Sequence, residues 1–143
     1  MGFSIGILLW IALMVLGMGS FVLAFLDLPS ALIVIFPSAI VAITATSFAT
    51  ARKSFAIVFS RATPANGSEA RGALVFFRFL GNGALLAGAL GTIIGAVIML
   101  QNLDDLSTIG PPLAMAILTI FYGLIVKFFA AAAESRVKFK SIS

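Results

Sequence analysis

The chain has 143 residues, 62% of them hydrophobic and 10% charged, with a mean hydropathy of +1.21. A soluble domain carries about 25% charged residues, so this composition excludes one and points to an all-α membrane domain filling residues 1–143. The absence of cysteine and histidine excludes disulfides, thiolate chemistry and imidazole metal sites, and no other side chains group as a catalytic or metal constellation.

Charge placement says more than net charge. The +4 balance and a pI near 10.2 could suggest nucleic acid, but no basic stripe or nucleic-acid motif supports that partner. All nine Lys and Arg residues lie in 52–78 or 127–140. Asp27, Asp104 and Asp105 lie in the remaining connections. This is the positive-inside pattern of a multi-pass protein. It places both termini and the 51–78 connection in the cytoplasm, and the three aspartates on the opposite side.

Crossing a bilayer takes about 20 apolar residues, and four segments have that length. The first runs from Phe3 to Leu26. It lacks a basic leader and is too long for a signal-peptide core, so it reads as a retained helix. Asp27-Leu28-Pro29-Ser30 is a tight turn in which Ser30 can cap the second helix. That helix is expected over residues 30–50. The connection 51–78 contains an apolar stretch, Ser54–Ser60, flanked by Arg52, Lys53 and Arg61, which suits the membrane surface. A loop follows at Thr63–Ser68, and Glu69–Arg78 leads into the third helix.

The third span covers about 79–100. Gly81, Gly88 and Gly95 recur every seven residues, and Gly91 with Gly95 makes a GxxxG. Small residues let helix backbones approach in lipid, so the stripe either packs on a helix or faces a pore. Thr92 lies beside it. Gln101–Gly110 is a short loop, and Pro111 and Pro112 open the fourth helix, where a missing N–H does least harm.

The fourth span covers about 112–133. Pro112, Ala116, Thr119, Gly123 and Ala130 share one face by three- and four-residue steps. Thr119 lies mid-span, as Thr92 does, so an antiparallel pairing would bring both hydroxyls to one depth, facing one lumen. Lys127 either snorkels to the interface, where Glu134 could pair with it, or forms a basic ring at a cytoplasmic pore mouth. The tail, 134–143, is basic and polar. No span contains a carboxylate, whereas an ion-translocating bundle needs one to load and unload its ion.

Several strings together resemble the MotA/TolQ/ExbB family. Phe25-Leu26-Asp27-Leu28-Pro29-Ser30-Ala31-Leu32-Ile33-Val34 is similar to the family's first periplasmic turn in its flagellar branch. Gly91-Thr92-Ile93-Ile94-Gly95 resembles the third-helix motif. Gln101–Asp105, Ile109-Gly110-Pro111, Ala114–Thr119 and Tyr122-Gly123 resemble the following loop and helix. The resemblance implies a homo-oligomeric ring, typically a pentamer, in the bacterial inner membrane. It implies a dimeric single-span partner of the MotB/TolR/ExbD kind, whose aspartate carries the proton or sodium ion. Beyond that ion no cofactor is implied. Thr92 and Thr119 would line the ion pathway.

Two departures qualify the resemblance. The family often has a threonine three residues before the glycine matched by Gly123, and here that position is Ile120. The connection 51–78 is too short for the torque-transmitting domain of flagellar relatives. The alternative reading is therefore a non-conducting assembly protein that keeps the ring fold.

Overall fold

The computed structural model describes residues 2–59 and 67–142. The order is α1 (Gly2–Met18), a 3-10 stretch (Gly19–Phe25), α2 (Leu28–Ala45), α3 (Phe48–Phe59), α4 (Gly67–Gln101), a 3-10 turn (Leu106–Thr108) and α5 (Gly110–Ile142). The described residues contain helices and turns but no strand, and four helical stretches are long and apolar enough to span a membrane.

The first span changes character at Gly19, whose φ of +56° lies in the left-handed region that glycine reaches without penalty. Aromatic contacts tie this span to the bundle. Trp10 stacks on Phe128 with centroids 4.5 Å apart, and Phe25 meets Phe121 at 5.4 Å. Most of its aliphatic side chains, such as Leu8, Leu16 and Leu23, stay exposed.

The turn into α2 differs from expectation. Asp27, not Ser30, is the N-cap: its carboxylate accepts from the Ser30 N–H at 2.9 Å, with Pro29 inside the first turn. Both residue types cap well, but only Asp27 stands one position before the helix. The turn is also clasped to α5. The Tyr122 hydroxyl donates to the Phe25 carbonyl and accepts from the Asp27 N–H. Tyr122→Phe removes both bonds, so we expect a loss of about 1–2 kcal/mol, read as a lower thermal midpoint in detergent.

The second helix stops at Ala45, five residues short of the expected Thr50. Thr46 turns its hydroxyl back to the Ala42 carbonyl, and its backbone leaves the helical region. Ser47 then starts α3 by accepting from the Thr50 N–H. Residues 54–59 of the expected apolar surface stretch are thus part of a longer helix, Phe48–Phe59, that buries Ala51, Ser54, Ile57 and Val58, and Ser60 lies outside the described residues. Of the expected loop, Thr63 to Asn66 lies outside the described residues, while Gly67 and Ser68 open α4.

Helices α4 and α5 dominate the fold. At 35 and 33 residues they are about 50 Å long by the 1.5 Å rise per residue, against a hydrocarbon core of about 30 Å. Both therefore project beyond a bilayer. The basic tail is not separate, since α5 continues to Ile142. Its alanine-rich sequence favours helix, and Ala133 and Val137 are fully buried against the bundle. Around them Phe55, Phe76, Phe77 and Phe129 form an edge-to-face and stacked cluster. Lys140 donates to the Ile57 carbonyl, which holds the end of α5 on α3.

Candidate functional site

The site grows from the absence of side chains. On α4, the positions Gly81, Gly88, Gly91 and Gly95 all face α5. A methyl at Gly88 would lie 2.8 Å from the Thr119 carbonyl oxygen, and one at Gly95 would lie 2.8 Å from Ala116 Cβ. From the other side, a methyl at Gly123 would lie 2.7 Å from the Ala84 carbonyl oxygen. The stripe is a contact between two helices of one chain. Neither a lumen nor a second copy is needed to explain these glycines. Pro111 and Pro112 lie in the first turn of α5, where they cost no hydrogen bond.

This close approach lets two hydroxyls meet. Thr92 Oγ1 lies 2.8 Å from the Ala116 carbonyl oxygen across the seam and 3.0 Å from the Gly88 carbonyl oxygen behind it. Thr119 Oγ1 lies 3.0 Å from the Met115 oxygen and 3.1 Å from the Ala116 oxygen. The two hydroxyl oxygens are 3.5 Å apart. Each hydroxyl has one proton to donate and keeps acceptor lone pairs. The result is a neutral cluster of oxygens able to solvate a cation but not to take up its charge.

The two threonines share a depth, but not exposure. Thr92 is partly exposed on the rim of the seam, whereas Thr119 is fully buried in the chain. Its side chain occupies the space that Gly91 leaves, where a methyl would stand 2.7 Å from Thr119 Cβ. Of the two hydroxyls, the one reachable in the single chain is that of Thr92.

A second polar rung lies further along. Lys127 Nζ donates to Asn82 Oδ1 at 2.5 Å, joining α5 to α4. The expected pairing of Lys127 with Glu134 is replaced by this bond. Asn82 escaped the sequence reading, because its pairing depends on the register of α4 against α5. With Thr92 opposite Thr119, counting ten residues back on α4 and eight on along α5 brings Asn82 beside Lys127.

The carboxylates remain outside this region. Asp105 accepts from the Ser107 N–H and hydroxyl, which hold its carboxyl below the usual range. Asp27 is engaged as a cap, and the Glu69 carboxylate pairs with Lys53 at 2.8 Å. Among the described residues, no acidic side chain lies between the two α4–α5 rungs.

Comparison with known proteins fits this arrangement. The pattern that defines the MotA/TolQ/ExbB proton channel family matches residues 49–142, from α3 to the end of α5. A stretch of 50 residues is 48% identical to the chemotaxis protein PomA of Vibrio alginolyticus, covering 35% of this chain and 20% of PomA. Another of 52 residues is 42% identical to motility protein A of Aquifex aeolicus, covering 36% and 20%. A third, of 36 residues, is 50% identical to the uncharacterized protein YtxD of Bacillus subtilis, covering 25% and 13%. The aligned stretches span at most about a fifth of these curated relatives.

Proposed function

This chain belongs to the MotA/TolQ/ExbB proton channel family, and from that premise we propose that it is a ring subunit of an ion-driven complex in the bacterial inner membrane. The ring, a pentamer of this chain, surrounds a dimeric single-span partner of the MotB/TolR/ExbD kind. The partner supplies an aspartate, and a proton or sodium ion passes between that aspartate and the ring.

The observation that carries this reading is the oxygen cluster at the α4–α5 seam beside spans that hold no carboxylate. Thr92 offers the reachable hydroxyl, and Thr119 with the Ala116 carbonyl stands behind it and fixes its position. Lys127, held by Asn82, sets a positive charge toward the basic end. Proton- or sodium-driven flux into liposomes carrying chain and partner together tests the reading. The lack of flux with either ion would sink it.

A non-conducting assembly role is the second reading. Ile120 favours it, because an apolar side chain replaces a hydroxyl beside the seam.

The topology we propose puts both termini and the 51–78 connection in the cytoplasm. A cysteine placed at Ser107 should react with an impermeant reagent from outside the cell. One placed at Lys138 should react only after the membrane is opened. The reverse pattern would overturn the orientation.

A further inference from the structure

A second feature lies at the basic end of the fold, outside the ion pathway. There α2 ends at Ala45 and α3 begins at Phe48 behind Ser47, and both pack on α4 and α5. They leave an apolar cleft of about 460 Å³, walled by Ile35, Ile43, Phe48, Phe55, Phe76 and Leu80. Its two polar lining residues are Ser38 and Arg52. The Ser38 hydroxyl is already committed to the Ile35 carbonyl at 2.8 Å. Arg52 is not committed: it is exposed at the rim, with no hydrogen bond or ion pair to any described residue. The neighbouring Lys53, by contrast, pairs with Glu69.

Arg52 and Phe48 also border a second hollow of about 450 Å³, which includes Ala49, Lys53 and Ala56. Two largely apolar hollows thus meet at a guanidinium with no partner among the described residues. Their sizes fall within the range of small-molecule sites.

We propose that this is a binding site for one anionic phospholipid of the leaflet on the basic side. Its phosphate is held by Arg52, one acyl chain fills the α2–α5 cleft, and the other follows the outer hollow along α3. Charge complementarity selects the occupant. Guanidinium binds phosphate through paired N–H donors, and basic pockets between spanning helices at this side of a membrane take acidic headgroups. A zwitterionic lipid of the same chain length would keep the apolar contacts and lose the charge advantage. The site rests on the membrane reading of the fold and does not depend on conduction.

Native mass spectrometry of the full chain in detergent tests this, with phosphatidylglycerol or phosphatidylcholine of matched acyl chains added. We expect one phosphatidylglycerol retained per chain, about tenfold more strongly than phosphatidylcholine, as a hydrogen bond to a charged group would give. Arg52→Gln should bring phosphatidylglycerol down to the phosphatidylcholine level, and Arg71→Gln, at an exposed arginine away from the cleft, should not. Ala39→Leu fills the cleft and should weaken retention of both lipids, whereas the small Ala39→Ser should leave it unchanged. Equal retention of the two headgroups, or no effect of Arg52→Gln, would overturn the proposal. So would undiminished retention in Ala39→Leu, which would mean adsorption at the surface. Loss of a dimer mass in Ala39→Leu, with no lipid retained by the parent chain, would assign the cleft to a second copy and refute the lipid.

Discussion

Gly88→Leu and Gly123→Leu should each destroy the α4–α5 pair. At both positions the added carbon would meet backbone, which has no rotamer to retreat to. It lies 2.8 Å from the Thr119 carbonyl oxygen at Gly88 and 2.7 Å from the Ala84 carbonyl oxygen at Gly123. Overpacking of a core typically costs about 1–3 kcal/mol, and a backbone collision falls at or above the top of that range. Gly6→Leu is the control, because nothing lies within 4 Å of a methyl built there. We expect aggregation or a collapsed thermal midpoint in detergent for the two seam variants and a near-normal midpoint for Gly6→Leu. Seam variants that keep the midpoint and change only the oligomer mass would move these glycines from the inside of the chain to an interface between copies.

Thr92→Val and Thr119→Val should separate by kind of damage. Valine keeps the shape and removes the hydroxyl. On the proposed pathway Thr92 is the partly exposed hydroxyl, so its loss would withdraw an oxygen from the ion. We expect flux through the complex to fall about tenfold, the size of one hydrogen bond to a charged group. Thr119 is buried and bonded to carbonyls of its own helix, so its loss acts through position. Flux should fall only about two- to threefold, and stability should drop by about 1 kcal/mol. Liposome flux and thermal unfolding in detergent, measured on the same preparations, check both values. Full flux in the double variant would reduce both threonines to packing residues.

The four spans were legible because twenty-residue apolar runs and segregated charge leave few alternatives. The shared depth of Thr92 and Thr119 was legible from spacing, since both lie mid-span in helices joined by a short loop. Their unequal burial was not. It depends on how far Gly91 lets α5 approach, which is a property of two helices together. The break at Thr46–Ser47 was hidden for a different reason. Hydropathy stays apolar through Ala49, and the departure rests on two hydroxyls competing for backbone groups. The continuous α5 was missed because charge was read as a terminus. Lys138 is exposed on a helix whose other face buries Ala133 and Val137, and Lys140 lies on that inner face and bonds to α3. Asn82 shows how a site residue stays invisible until register is known.

In the complex we propose, labour is divided: this chain lends neutral oxygens and a partner brings the charge that carries the ion. The most direct measurement of this is proton- or sodium-driven flux in liposomes containing the purified chain alone, set beside liposomes containing the chain with its single-span partner. A bundle with no carboxylate in any span has no group to load and release the ion. We expect background leak for the isolated chain, with either ion, and flux only when the partner is present. Conduction by the isolated chain would contradict it.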